Sequence, residues 1–464
     1  MDTQTTFGFK KLSRILIFLT LISLLISCNE DNSGNINSND ILYKIRSLEG
    51  VEVVEIMPQY GYSRAFQINV TQPVDHNNPS GDQYTQRIYL SHVNENMPMV
   101  FAPSGYATSS RSGQEIASIL GTNCMNVTHR YFNDSKPDPL DWQYLTIEQA
   151  AADHHRIVEL FKNMYNDKWI SSGVSKSGQA VLFHRRFYPD DVDVTIAYVA
   201  PFVFGPKDMR FADYIETIGE SDCFTKLKEF QRLVLQNRTD ILPYVNGFMH
   251  TNAESWSLDS DLILELAVMD YPFYYWQYND IDCSYIPNSS STNAELFNHL
   301  NSIVSVSGFS DENNEFYAPY VYQALTETGA PGYKTDYLSD LLINIDPLDE
   351  GNPNFEILAP QNATLTFNYS TLTDIYSWLQ TSGNNIIYIY GDQDPWTAGA
   401  IELTGQTNAL FILQEGANHR VKIADLDEQQ LVYSTLEEWL DIEISSTKSY
   451  MYTEPEPDIG FRLR

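Results

Sequence analysis

The stretch Trp169-Ile-Ser-Ser-Gly-Val-Ser-Lys-Ser-Gly-Gln-Ala180 sets Ser175 between a short β-prone apolar run and a helical pattern. The helical pattern begins at once and runs to Tyr188, where Pro189 stops it. A strand, a tight turn, a serine and a helix in that order lift a hydroxyl above a sheet edge and aim a helix N-terminus at it. That is the geometry of a nucleophile for acyl carbon. Strand and helix approach closely at such an elbow, so small residues are needed around the serine, and Gly173, Ser177 and Gly178 supply them. Ser177 stands where the second glycine of Gly-x-Ser-x-Gly normally sits. It competes with Ser175 as nucleophile, but it falls inside the first helical turn and points along the helix.

A serine nucleophile needs a base within hydrogen-bond reach and a carboxylate to orient that base. On this scaffold they follow as acid and then histidine, each on a loop at the carboxyl end of a strand. Asn385-Ile-Ile-Tyr-Ile-Tyr390 reads as a strand, and Gly391-Asp-Gln-Asp394-Pro-Trp396 leaves its end. Leu410 to Leu413 reads as the next strand, and Gly416-Ala-Asn-His419 leaves that one. His419 is the expected base. Asp394 and Asp392 compete for the acid, and Pro395 favours Asp394 by fixing the backbone there. The expected oxyanion donors are the backbone N–H of Lys176 and one from the Ser104-Gly105-Tyr106 loop, at Gly105 or Tyr106. Removing one such donor costs about 3 kcal/mol of transition-state stabilisation. The Lys176 side chain is assigned to a structural ion pair.

These loops need a sheet behind them. Residues 65–70 and 83–92 alternate as a hairpin around the turn-rich segment from Asp75 to Gly81. Pro98 to Ala102, Cys124 to Tyr131, the elbow strand and Val192 to Ala200 read as buried strands, with a long amphipathic helix over Leu145 to Tyr165. Strands alternating with helices imply parallel βαβ units, hence a sheet covered on both faces. From about Pro206 to Gln361 the periodicity turns helical, and sheet character returns at 385–390, with a closing helix from Asp427 to Leu440. A helical block between two halves of one sheet reads as a lid. The expected division is 42–205 and 366–447 for the two halves, 206–365 for the lid and 448–464 for a tail.

Acidic residues outnumber basic ones 61 to 28, for a net charge of −33, which repels phosphate backbones and argues against nucleic acid as a partner. The same charge serves solubility or the attraction of cationic peptides. At 43% hydrophobic and 13% aromatic residues, the 464-residue chain is suited to a folded core. Lys10, Lys11 and Arg14 precede an apolar run from Ile15 to Ser27, too short for a comfortable span and suited to a signal peptide. Leu25-Ile-Ser-Cys28 resembles a bacterial lipoprotein processing box, which would leave a lipid on Cys28 and a polar tether over 28–41. An ordinary signal peptide with an incidental cysteine is the alternative. The expected location is therefore outside the cytoplasm, on a membrane. Cys223 and Cys283 share the helical block and are expected to pair in an oxidising compartment, with Cys124 a buried thiol. His154 and His155 with Glu159 imitate metal ligands, but a packed helix pair is the simpler reading. No metal or organic cofactor is expected.

Further motifs carry a resemblance. They include Gln72-Pro-Val-Asp-His-Asn-Asn-Pro79, His129-Arg-Tyr-Phe132, Leu145-Thr-Ile-Glu-Gln-Ala-Ala-Ala-Asp-His-His155, the elbow, Arg185-Arg-Phe-Tyr-Pro-Asp-Asp-Val-Asp193 and Asp394-Pro-Trp396. Over about residues 65–420 the chain resembles the secreted prolyl tri/tetrapeptidyl aminopeptidases, distant relatives of lysosomal prolyl carboxypeptidase and dipeptidyl peptidase 7. The resemblance implies an α/β-hydrolase sheet with a helical lid, a Ser175–Asp394–His419 triad, and an exopeptidase trimming short N-terminal peptides after proline. Two features depart from it: Ser177 in the elbow and the lipid-anchor signal. Such trimming needs a counter-charge for the substrate amine, with Asp208, Asp213 and Glu216 as candidates. It also needs a pocket for proline, for which the Tyr271-Pro-Phe-Tyr-Tyr-Trp276 cluster offers Tyr274 and Trp276. A lid core is an equal use of that cluster. An esterase or acylaminoacyl hydrolase with the same triad, and an inactive peptide-binding surface lipoprotein, are the rival readings.

Overall fold

A computed structural model describes residues 39–110, 113–220, 222–279, 282–346 and 353–444. The expected leader, Cys28 and the expected tail from 448 lie outside them. The short helix Ile41–Arg46, capped by the Asp40 side chain, belongs to a separate unit, and the rest of the described chain forms another.

Nine strands make one sheet in the order β1-β2-β3-β5-β4-β6-β7-β8-β9. β1 (Val51–Ile56), β2 (Arg64–Pro73) and β3 (Gln83–His92) run antiparallel, and β3 pairs antiparallel with β5 (Asn123–Val127). From there β4 (Met99–Pro103), β6 (Trp169–Val174), β7 (Val194–Tyr198), β8 (Ile386–Gly391) and β9 (Ala409–Gln414) extend the sheet with parallel pairings. The period of two explains the two layers. In β8, Ile386, Tyr388 and Tyr390 face Val181 and Leu182 of the helix Lys176–Phe187 and Leu372 and Ile375 of the helix Tyr369–Thr381. Ile387 and Ile389 face the other way, onto Ile116 and onto Val432 and Leu436 of the closing helix Gln429–Leu440. This is the α/β-hydrolase architecture.

Between β7 and β8 the chain leaves the sheet for a helical block with its own core. Its central helix, Ser260–Tyr278, is buried from Ile263 to Gln277. A helix apolar all round has no solvent face to offer, so it becomes the axis on which the others pack. Each large apolar side chain fully buried there contributes roughly 1.5–3 kcal/mol. One of its buried acids, Glu265, meets Arg238 at 2.6 Å and accepts from the N–H groups of Ile343, Asn344 and Ile345. A disulfide joins Cys223 to Cys283 within the block. Among the described residues no helix is long and apolar enough to cross a membrane.

Two local expectations need correction. The strand expected over Cys124 to Tyr131 stops at Val127, because Arg130 turns off the sheet to reach Asp153. The sheet, expected to begin with the hairpin from residue 65, begins one strand earlier, with the edge strand β1.

Candidate active site

β6 delivers Ser175 with φ 58° and ψ −123°, a conformation an L-residue rarely holds. Its N–H donates to the Tyr198 carbonyl on the neighbouring strand at 2.9 Å, which pins the turn. The small residues are required: a Cβ on Gly173 would lie 2.3 Å from the Ser177 carbonyl oxygen, and one on Gly178 would lie 2.8 Å from Ala200 Cβ. Lys176 then opens the helix, so its N–H is among the unpaired donors of a first turn.

The next strands supply the other two groups. Asp394 follows β8, is 0% exposed, and sets Oδ2 at 2.6 Å from His419 Nδ1. Its other oxygen accepts from the Trp396 N–H at 3.1 Å. Asp392 turns elsewhere, accepting from the Gly416 N–H at 2.7 Å and so holding the histidine loop to the acid loop. Gly391 lets those loops meet, since a Cβ there would stand 2.2 Å from the Ala417 carbonyl oxygen. His419 is 4% exposed, and its N–H donates to the Gln277 carbonyl of the lid helix at 3.2 Å. The Tyr278 ring stands perpendicular to the imidazole at 5.6 Å, and Trp396 lies 6.5 Å away. With Nδ1 on the carboxylate, Nε2 has no hydrogen-bond partner among the described residues.

Ser175 lines a cavity of about 440 Å³ together with Tyr106, Lys176, Gln277, Tyr278 and Trp396. Tyr278 and Trp396 thus touch both the serine's cavity and the histidine's ring. A second cavity of about 470 Å³ adjoins it, sharing Gln277, Tyr320 and Trp396, and is walled by Phe273, Tyr274 and Tyr317.

Several sequence expectations fall to side-chain pairing. The Gly105 N–H donates to Ser177 Oγ at 2.9 Å and the Tyr106 N–H to Ser104 Oγ at 3.0 Å, so neither donor expected from that loop is open. Ser177, the departure from glycine, is itself the cause at Gly105. Among the described residues Lys176 has no ion pair; its Nζ donates to Gln323 Oε1 at 2.6 Å and lies 5.7 Å over the Tyr106 ring. Burial pulls that amine down to about 7. Asp208 pairs with Arg210 at 2.7 Å, and Lys334 takes Asp213 at 2.6 Å and Glu216 at 2.8 Å. None of the three lines either cavity. Trp276 packs on Gly219 and Tyr275, away from both cavities, whereas Tyr274 lines the second. The acid inside that second cavity is Asp270, which is not among the acids expected from the sequence. Its signal was a lone aspartate at helical spacing, i, i+3, i+4 and i+7, with Phe273, Tyr274 and Gln277.

The other polar candidates are accounted for by packing. His154 is buried, and its imidazole is held neutral, down to about 3, chiefly by burial. His155 pairs with Asp191 at 2.8 Å and stacks on Tyr188. Among the described residues no cluster of His, Cys, Asp and Glu is arranged for a metal ion. Burial pushes the Cys124 thiol up to about 12.

Residues 35–448 match the family model of the PS-10 peptidase S37. The chain is 32% identical over 406 residues to a prolyl tri/tetrapeptidyl aminopeptidase of Streptomyces mobaraensis, covering 86% of this chain and 84% of that one. It is 23% identical over 356 residues to the human lysosomal Pro-X carboxypeptidase, covering 66% and 70% of the two. Among solved structures, a proline iminopeptidase of Mycobacterium smegmatis aligns over 80% of this chain and 98% of its own at 10% identity. Its TM-score of 0.33 adds nothing to the strand order above. An elbow serine, a buried imidazole–carboxylate pair and a family match over most of the chain agree: the chain belongs to the PS-10 peptidase S37 family and is a serine peptidase.

Proposed function

We propose that this peptidase removes short peptides of three or four residues from the free N-terminus of its substrates, preferably after proline, through an acyl-enzyme on Ser175. The observation that carries the reading is the buried His419–Asp394 pair, with its second imidazole nitrogen unpartnered, packed on the aromatic walls of the Ser175 cavity. The name of the Streptomyces relative supplies the substrate class.

In this mechanism Ser175 Oγ attacks the scissile carbonyl carbon while its proton passes to His419 Nε2. Asp394 holds Nδ1–H, which fixes the tautomer and stabilises the imidazolium. Lys176 N–H, at the start of its helix, donates to the oxyanion. Collapse breaks the C–N bond, and His419 returns the proton to the departing amine. A water molecule, deprotonated by His419, then attacks the ester carbon and frees Ser175. The apposition of Ser175 Oγ and Nε2 tightens when substrate binds, as is common in such sites. The same proposal holds the enzyme outside the cytoplasm on a lipid at Cys28. Palmitate incorporation should disappear in Cys28→Ser, and its persistence would refute the anchor.

Chromogenic Ala-Ala-Pro substrates with free and acetylated amines, alongside simple acyl esters, test the function. Turnover favouring the free-amine peptide is expected. Turnover of esters alone would reassign the protein as an esterase, and no turnover with no fluorophosphonate labelling would make it a binding protein.

A further inference from the structure

We propose that Asp270 captures the substrate's α-ammonium inside the aromatic cavity beside Ser175, a claim that rests on the exopeptidase reading above and names the residue that makes it selective. Asp270, Phe273, Tyr274 and Gln277 project from one face of the lid helix Ser260–Tyr278 into that cavity. Tyr317, Tyr320, Tyr333 and Trp396 are among the other residues of its wall. Among the described residues lining it, Asp270 carries the one formal charge, and it is 3% exposed.

A carboxylate surrounded by aromatic faces is a receptor for an organic cation. The charge attracts the ammonium, and the ring quadrupoles add cation–π attraction that grows as water is excluded. Tyr333 donates its hydroxyl to Asp270 Oδ1 at 2.8 Å. That contact orients the group, and an ionised carboxylate offers about four lone-pair sites, enough to take a ligand beside its protein partners.

The junction between the cavities is built for a peptide backbone. Gln277 and Trp396 line both, and Gln277 is 3% exposed. Gln277 Oε1 and Trp396 Nε1 are buried without hydrogen-bond partners among the described residues. One acceptor and one donor left open at that point match the N–H and C=O of a peptide passing from Asp270 to Ser175. Unpaired buried polar atoms are costly, and a bound peptide removes the cost. With its amine fixed in one cavity and its scissile bond in the other, a substrate is measured by the distance between them. Short fragments of set length follow.

The test uses the full-length chain and Asp270→Asn. Asparagine keeps an acceptor for Tyr333 and removes the charge. For the wild type, the free-amine Ala-Ala-Pro anilide should exceed its acetylated form by on the order of 100-fold in kcat/KM, mostly through KM. In Asp270→Asn that ratio should fall toward one, while fluorophosphonate labelling of the serine continues and reports a folded site. Tyr333→Phe, which loosens the carboxylate without removing it, should raise KM for the free-amine peptide several-fold. A wild-type ratio that survives in Asp270→Asn, or in Tyr333→Phe should the first variant not fold, overturns the assignment and leaves the exopeptidase reading standing. A wild type with no preference for the free amine overturns both.

Discussion

Two buried charge clusters in this chain, one around Arg130 and Asp153 and one around Asp394 and His419, differ in how completely their polar atoms are paired. Asp153 meets Arg130 through both oxygens, at 2.7 and 2.8 Å, and also accepts from Tyr84 and contacts His76, each at 2.7 Å. Arg130 spends its remaining donors on the carbonyls of Val74, Tyr144 and Pro73. These bonds tie the β2–β3 hairpin, the turn after β5 and the helix Ile147–Lys162 to one another. The Arg130 charge holds the Asp153 carboxyl below the usual carboxylate range, against the burial that opposes it. The Asp394–His419 pair is equally buried but stops one partner short, at Nε2. A closed network is a fixture of the fold, whereas an open one is poised for a ligand.

Substitutions in the two clusters should therefore fail differently. Ser175→Ala, beside the open cluster, should lower kcat on anilide peptides by on the order of 10⁶ while leaving the melting temperature unchanged. Asp394→Asn should lower kcat by about 10⁴ through the wrong tautomer. Asp392→Asn keeps an acceptor for Gly416 and should be far milder; steady-state kinetics separates the two.

In the closed cluster, Arg130→Met should remove about 3–5 kcal/mol of stability by stranding Asp153, read by urea unfolding. A large kinetic defect without a stability loss there would break the comparison.

The smallest effect concerns Lys176, whose buried amine is pulled from 10.5 to about 7 by desolvation. A base with a depressed native pKa binds fewer protons folded than unfolded between those values. Stability should therefore climb as pH rises from about 7 toward 10.5. Lys176→Met should flatten that climb in thermal denaturation, and an unchanged slope would mean that the amine is not the cause.

The sequence made the elbow and the loops of Asp394 and His419 legible because each is a local pattern of strand, turn and polar residue. What it hid was pairing at a distance. Asp213 and Glu216 looked available because Lys334 lies far along the chain from the acids it neutralises. Gly105 looked like an oxyanion donor until the distant Ser177 hydroxyl met it. β1 escaped notice because Val51-Glu-Val-Val-Glu-Ile56 breaks strict alternation and, pairing only with β2, buries none of its side chains fully. Trp276 and Tyr274 are two residues apart on one helix, which turns them to different sides; only the packing says which side holds the cavity.

The account stands on Ser175 being the group that His419 activates. Mass spectrometry of the full-length protein after fluorophosphonate treatment tests this directly. The adduct should sit on Ser175, vanish in Ser175→Ala and persist in Ser177→Ala. An adduct on Ser177, or one that remains when Ser175 is removed, would contradict it.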